Sequence, residues 1–371
     1  MRTWKWLAVA VAAVVLAGCG AAPSPAPHTL SPTPSESPSP SNLGVQPVGE
    51  PRDVVTGLVT PWSILRLTDN VTLLSQRDNA TILRLEGGTV TTVGTVPGVV
   101  HQGEGGLLGL AYLSQGSGGW LYAYLTAADD NRIVRMTYAD GGALGSPQVV
   151  LSGLAKAGNH DGGRLAFGPD GMLYATVGDA GEPDRAQDPS SLNGKILRMT
   201  PTGGVPDDNP TPGSLVYSMG HRNPQGLAWD ASGQLWAAEF GQDTWDEFNR
   251  IEPGANYGWP IVEGIAGDSR FVDPVLQWAT DDASPSGLTY INGTFFLASL
   301  KGQRIWAIDV AADGTASATP WFVGQFGRLR DVTAGPDGTL WFITNNTDGR
   351  GDPRDGDDRL LQVSLAPLAE G

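Results

Sequence analysis

A few residues of this chain could do chemistry together, and their spacing from repeated turn glycines singles them out. His160 lies 11 residues before Gly171, and Arg222 lies 11 before Gly233. Asp179, Gly241, Lys301 and Asn346 each follow a turn glycine by eight residues: Gly171, Gly233, Gly293 and Gly338 respectively. In an antiparallel hairpin the start of the first strand and the end of the second lie at the same end, so both registers project to one face. Arg328 and Arg330 join that face. A lone Arg beside a strand ordinarily solvates a loop, but clustered cations repel unless something negative sits among them. Arg222, Lys301, Arg328 and Arg330 therefore read as an anion trap, with guanidinium groups suited to gripping carboxylates. His160, with Asn159, Asp161 and Asp179 nearby, suits a general base held by a carboxylate. Bridging of two loops is the competing role for it. His221 is expected to be structural, and His101 carries no signal.

The elements that must position these residues repeat along the chain. An apolar strand, a Gly-containing turn and a second apolar strand recur at 164–177, 226–239, 287–299 and 331–344, preceded by two weaker copies at 62–77 and 109–126. Six hairpins, with sequence between them for two further strands each, match the four-stranded blades of a propeller. A double-sheet sandwich would not repeat one hairpin in this way. The expected fold is all-β, a six-bladed β-propeller of four-stranded antiparallel blades. The strand at 359–365 is expected to close the ring against the segment near Val54.

Arg2, Lys5 and the apolar run 6–16 form a secretion signal, too short to span a bilayer. The tetrad Leu16-Ala17-Gly18-Cys19 resembles the lipobox of bacterial lipoproteins, which makes Cys19 the lipidated residue. It is also the sole cysteine, so no internal disulfide is available. The following Pro/Ser/Ala/Thr segment cannot offset the entropy of ordering and reads as an extended tether. The expected organisation is a signal peptide at 1–18, a lipidated Cys and tether at 19–48, and a propeller at 49–371. The protein would then be exported, facing the periplasm or exterior, and anchored to the cell membrane. A formal charge of −16 makes nucleic acid a poor partner. The acidic stretch 239–247 has the oxygen-rich chemistry that suits calcium, though an ordinary acidic loop has the same composition. The segment 348–358 reads as a solvated loop.

Several motifs resemble the pyrroloquinoline quinone (PQQ) dependent soluble glucose and aldose-sugar dehydrogenases, with their glucose/sorbosone dehydrogenase domain. They are Glu104-Gly-Gly-Leu-Leu-Gly-Leu-Ala, Asn159-His160, Gly178-Asp179, Ser191-Leu-Asn-Gly-Lys-Ile-Leu-Arg, Gly220-His-Arg-Asn-Pro-Gln-Gly, Asn256-Tyr-Gly-Trp-Pro, Ser299-Leu-Lys and Arg328-Leu-Arg-Asp. The resemblance runs from about Val54 to Leu365. It implies a six-bladed propeller and oxidation of the C1 hydroxyl of an aldose to a lactone, with electrons passed to an external acceptor. It assigns His160 as the base and Asp179 as its support. Glu104, His160, Arg222, Asn223, Lys301, Arg328 and Arg330 match positions that hold PQQ, a tricarboxylate. Gly241 and Gln242, through their carbonyls, and Asp246 match the site of a calcium ion that polarises the quinone. Glu104 stands where better-studied members have glutamine, which implies an extra negative charge beside an anionic cofactor. Gln242 replaces a proline, and the second calcium motif expected after Pro260 is not evident. Short loops suggest an open site with broad sugar choice. The competing functions are a calcium-dependent lactonase, which needs a carboxylate cage at the axis, and a non-catalytic ligand-binding propeller.

Overall fold

Four of the repeated hairpins have their turn glycine where a positive φ is needed: 75° at Gly171, 84° at Gly233, 97° at Gly293 and 68° at Gly338. Glycine adopts that conformation without the Cβ clash of other residues, so a tight reversal recurs at these four copies. In the computed structural model, which describes residues 44–139 and 141–368, these hairpins are the two inner strands of six four-stranded antiparallel sheets. The signal, Cys19 and most of the tether lie outside the described residues.

The blades occupy 61–95, 107–154, 165–219, 223–279, 285–321 and 329–367, here blades 1 to 6, the last completed by a strand from the N-terminal side. That strand, Val45–Val55, pairs antiparallel with Leu360–Pro367, placing Asp53 opposite Leu361. Ring closure by the final strand thus follows the sequence expectation. The pairing begins at Val45, so the propeller takes in residues that composition had assigned to the tether. Val45 is buried in an apolar cluster with residues such as Phe296, Leu340 and Leu361, and this burial recruits the strand despite its own Pro47 and Pro51.

Second strands such as Val71–Gln76, Thr294–Ser299 and Thr339–Thr344 are buried at every position. Neighbouring blades cover both of their faces, so the usual polar alternation disappears and apolar runs result. The outer strand Thr89–Thr95 has one blade edge in water and is largely exposed. Six apolar clusters fill the wedges between blades and hold the ring together.

Candidate active site

Pairing of the first and second strands slips at the axial end in five of the six blades. The irregularities fall between Pro61 and Ser63, Leu107 and Leu110, Pro224 and Gly226, Pro285 and Leu288, and Leu329 and Asp331. A bulge bends its strand and re-aims a side chain. Here the skipped residues include Trp62, Gln225, Ser286 and Arg330, and they meet at the axis. Arg330 Nη1 donates to Gln225 Oε1 at 2.9 Å and to Ser286 Oγ at 3.4 Å, while Nε and Nη2 donate to Asn345 Oδ1 at 3.1 and 2.9 Å. The guanidinium carbon lies 6.0 Å from the Trp62 ring.

Above this floor is a cavity of about 300 Å³ to which all six blades or their entry loops contribute. Its lining includes Glu104, His160, Arg222, Asn223, Gly241, Gln242, Asp246, Lys301, Arg328 and Arg330. The structure therefore brings together every residue predicted for the site except Asp179, which is completely buried behind His160.

His160 Nδ1 donates to Asp179 Oδ1 at 2.8 Å, because an ionised carboxylate can only accept. Asp179 also accepts from the Gly181 amide at 2.8 Å and, through Oδ2, from Trp259 Nε1 at 2.9 Å. Burial opposes its ionisation, but the bond and charge of His160, the Gly181 amide and Trp259 outweigh that and hold its carboxyl below the usual range. With Nδ1 protonated, Nε2 presents a lone pair, and the Asn159 amide nitrogen stands 3.2 Å from it. His160 has a φ of 59°, a left-handed conformation that costs a side-chain-bearing residue on the order of 1 kcal/mol. Its carbonyl lies where a Cβ on Gly178 would approach to 2.0 Å, so the glycine before Asp179 is required for the two segments to pack.

Arg222 lies with its guanidinium carbon 5.5 Å from the Trp259 ring, and its buried Nε has no hydrogen-bond partner among the described residues. Burial pulls its pKa down against the opposing charges of Asp179, Glu239, Glu104 and Glu263. Arg328 donates through Nη2 to Asp348 Oδ2 at 3.1 Å, and its backbone amide to Asn346 Oδ1 at 2.8 Å. Asn346 thus supports Arg328 from behind and does not line the cavity. Lys301 is more than half exposed at the rim and pairs with Asp281. Asn223 Oδ1 accepts from the Gly162 amide at 3.0 Å, tying blade 4 to the His160 loop.

The loop at 241–245 shows a consistent donor pattern. The Gly241 amide donates to Asp246 Oδ1 at 2.9 Å, and the amides of Gln242, Asp243, Thr244 and Trp245 all donate to Glu263 Oε1 at 2.7 to 3.3 Å. With these amides engaged, carbonyl oxygens are the groups left to receive a cation. Asp246, expected among the metal ligands, uses Oδ1 on Gly241 and Oδ2 on the Ser284 amide at 2.5 Å, so it clamps this loop to blade 5. Among the described residues no cluster of three acidic, His or Cys side chains is arranged to hold a metal.

Two expectations need correction. The segment 348–358 is only in part a solvated loop: Arg350, Asp352, Arg354 and Asp355 are exposed, but two of its carboxylates turn inward. Asp348 and Asp358 are buried, and Asp358 accepts from the Asn346 amide at 2.5 Å. Glu104 does not present an uncompensated charge, since Arg350 of that segment donates to its Oε1 at 2.7 Å. Sequence reasoning missed Arg350, Asp348, Trp62, Gln225 and Trp259. Gln225 and Arg330 each lie eight residues before a turn glycine, an offset that could have revealed the bulge positions. His221 is structural as expected: fully buried, bonded to Glu239 and Ser218, and stacked on Tyr257 at 4.8 Å.

Fold and site together define a propeller with an axial, cation-lined hollow beside a carboxylate-held histidine. Residues 58–360 match the family model described as Glucose / Sorbosone dehydrogenase. The chain belongs to that family. It is 35% identical over 257 residues to the quinoprotein glucose dehydrogenase B of Acinetobacter calcoaceticus, covering 59% of this chain and about half, 54%, of that relative. It is 30% identical over 331 residues to an aldose sugar dehydrogenase of Escherichia coli, covering 78% of this chain and 88% of the relative. The solved PQQ-bound aldose sugar dehydrogenase of Streptomyces coelicolor superposes with a TM-score of 0.83 at 50% identity, covering 87% of this chain and 98% of that one.

Proposed function

We propose that this chain is a PQQ- and calcium-dependent dehydrogenase that oxidises the C1 hydroxyl of aldoses to lactones and passes electrons to an external acceptor. The observation that carries the reading is the convergence of Arg222, Lys301, Arg328 and Arg330 on one hollow with His160. The unpartnered Nε of Arg222 lacks an acceptor, which a carboxylate of PQQ would supply. Arg222, Asn223, Lys301, Arg328 and Arg330 would hold the cofactor, and the carbonyls of Gly241 and Gln242 would hold calcium. When bound, PQQ provides the two-electron acceptor and calcium the Lewis acid.

The remaining chemistry belongs to the chain. Nε2 of His160 takes the C1 hydroxyl proton as hydride leaves the same carbon, and Asp179 fixes the tautomer and stabilises the imidazolium that forms. Trp259 and the Gly181 amide keep Asp179 ionised and in place. A cationic centre disfavours the lactonase alternative. The test is a spectral titration of apoprotein with PQQ and Ca²⁺, followed by dye-linked oxidation across an aldose panel. Saturable binding with sugar-dependent dye reduction is expected; neither on any aldose would refute the assignment. Export and anchoring through Cys19 complete the proposal, checked by fatty-acid labelling that a Cys19→Ser variant should lose.

A further inference from the structure

Arg350 reaches the cavity from the segment that follows the second strand of blade 6. Its Nη1 donates to Glu104 Oε1 at 2.7 Å, and Oε2 of the same carboxylate accepts the backbone amide of His160 at 3.0 Å. One carboxylate thus links blade 6 to the backbone of the proposed base. The arginine is held in advance of any ligand. Its backbone amide donates to Asp348 Oδ1 at 2.9 Å, and Asp348 is fixed by Arg328. The Arg350 side chain remains 55% exposed, whereas that of Glu104 is 20% exposed and lines the hollow.

A carboxylate in that place, unbalanced, would repel an anionic occupant, since opposite and like charges act strongly in a partly desolvated hollow. We propose that Arg350 is a charge-balancing residue of the cofactor pocket: it neutralises Glu104 and holds that carboxylate on the His160 backbone, so the hollow stays cationic enough for a tricarboxylate. The inference rests on the quinone reading of the site. The groups facing Glu104 are Arg350 and Arg330 from blade 6, Arg222 from blade 4, and His160 and Asp161 from the entry to blade 3. Of these, Arg350 alone bonds Glu104 through its side chain among the described contacts.

The experiment is a set of PQQ titrations, followed by tryptophan fluorescence, on wild type, Arg350→Gln, Glu104→Gln and the double variant, with thermal unfolding as a check on folding. At pH 7.5 Arg350→Gln should weaken PQQ binding about tenfold or more. The double variant should return to within about threefold of wild type, because no unbalanced carboxylate remains. Lowering the pH toward 5 should tighten binding to Arg350→Gln as Glu104 takes up a proton, a trend the double variant should lack. That pH dependence separates charge balance from a merely structural contact. Unchanged affinity in Arg350→Gln, or no rescue by Glu104→Gln, overturns the inference. Failure of wild type to bind PQQ removes the quinone reading, and this inference with it.

Discussion

Replacing Asp179 by Asn tests the mechanism at its most constrained point. The carboxylate accepts three donors, from His160 Nδ1, the Gly181 amide and Trp259 Nε1, at 2.8, 2.8 and 2.9 Å. Asn is nearly isosteric but has one acceptor oxygen, so its amide nitrogen must face His160 or Trp259. Facing His160, it would donate to Nδ1, shift the proton to Nε2 and abolish the lone pair that takes the substrate proton. Facing Trp259, it would leave the indole donor unsatisfied and remove the charge that stabilises the imidazolium. General-base catalysis contributes roughly 10²- to 10⁴-fold, or about 3 to 5.5 kcal/mol of barrier. A fall in kcat of about that size is expected, with PQQ affinity changed less than about threefold because Asp179 does not line the cavity. Steady-state dye reduction gives kcat, and the quinone spectrum gives the affinity. A kcat within threefold of wild type would refute the tautomer argument, and an equal loss of cofactor binding would show that Asp179 acts through the pocket's architecture instead.

Three further outcomes can be checked. Asp161 is buried with Oδ2 unpartnered, and burial pushes its pKa from 3.8 up to about 6. The folded state therefore keeps a proton that the unfolded chain has released, and stability falls as pH rises between those values. Asp161→Asn should leave stability unchanged near pH 4 and raise it by roughly 2 kcal/mol at pH 8, read by urea unfolding; equal effects at both pH values would contradict the assignment. Phe342 is fully buried with the Phe322 and Phe326 rings 5.8 and 5.6 Å away, so Phe342→Ala should cost about 3 to 5 kcal/mol, and a loss below 1 kcal/mol would show that this wedge collapses around the gap. Chelation of calcium from the loaded enzyme should abolish sugar oxidation, restored by adding the ion back; activity that survives exhaustive chelation would exclude the cation from the reaction.

Legibility of this protein in its sequence divides along physical lines. The six blades are local events: each hairpin needs an apolar strand, a tight turn, in most copies at a glycine, and a second apolar strand, all within about twenty residues. Counting them therefore yields the architecture. Registers within a hairpin carry over as well, which is why His160, Arg222, Lys301 and Asp179 could be placed at one mouth before any coordinates. Residues outside that periodicity were harder to place. Gln225 and Trp62 reach the axis only because their strands bulge, and a bulge depends on how neighbouring blades crowd the centre.

Arg350 shows the limit most clearly. The segment around it, rich in Asp, Arg and Gly, has the composition of a solvated loop, and by itself would be one. Asp348, Arg350 and Asp358 are drawn back onto the propeller because Arg328, the far-off Glu104 and the Asn346 amide offer partners there. The sequence by itself determined the strands, the turns and the chemical types gathered at one face. Only the closed ring decided which charge meets which, because Coulombic partners depend on distances between residues, such as Glu104 and Arg350, that share no local pattern.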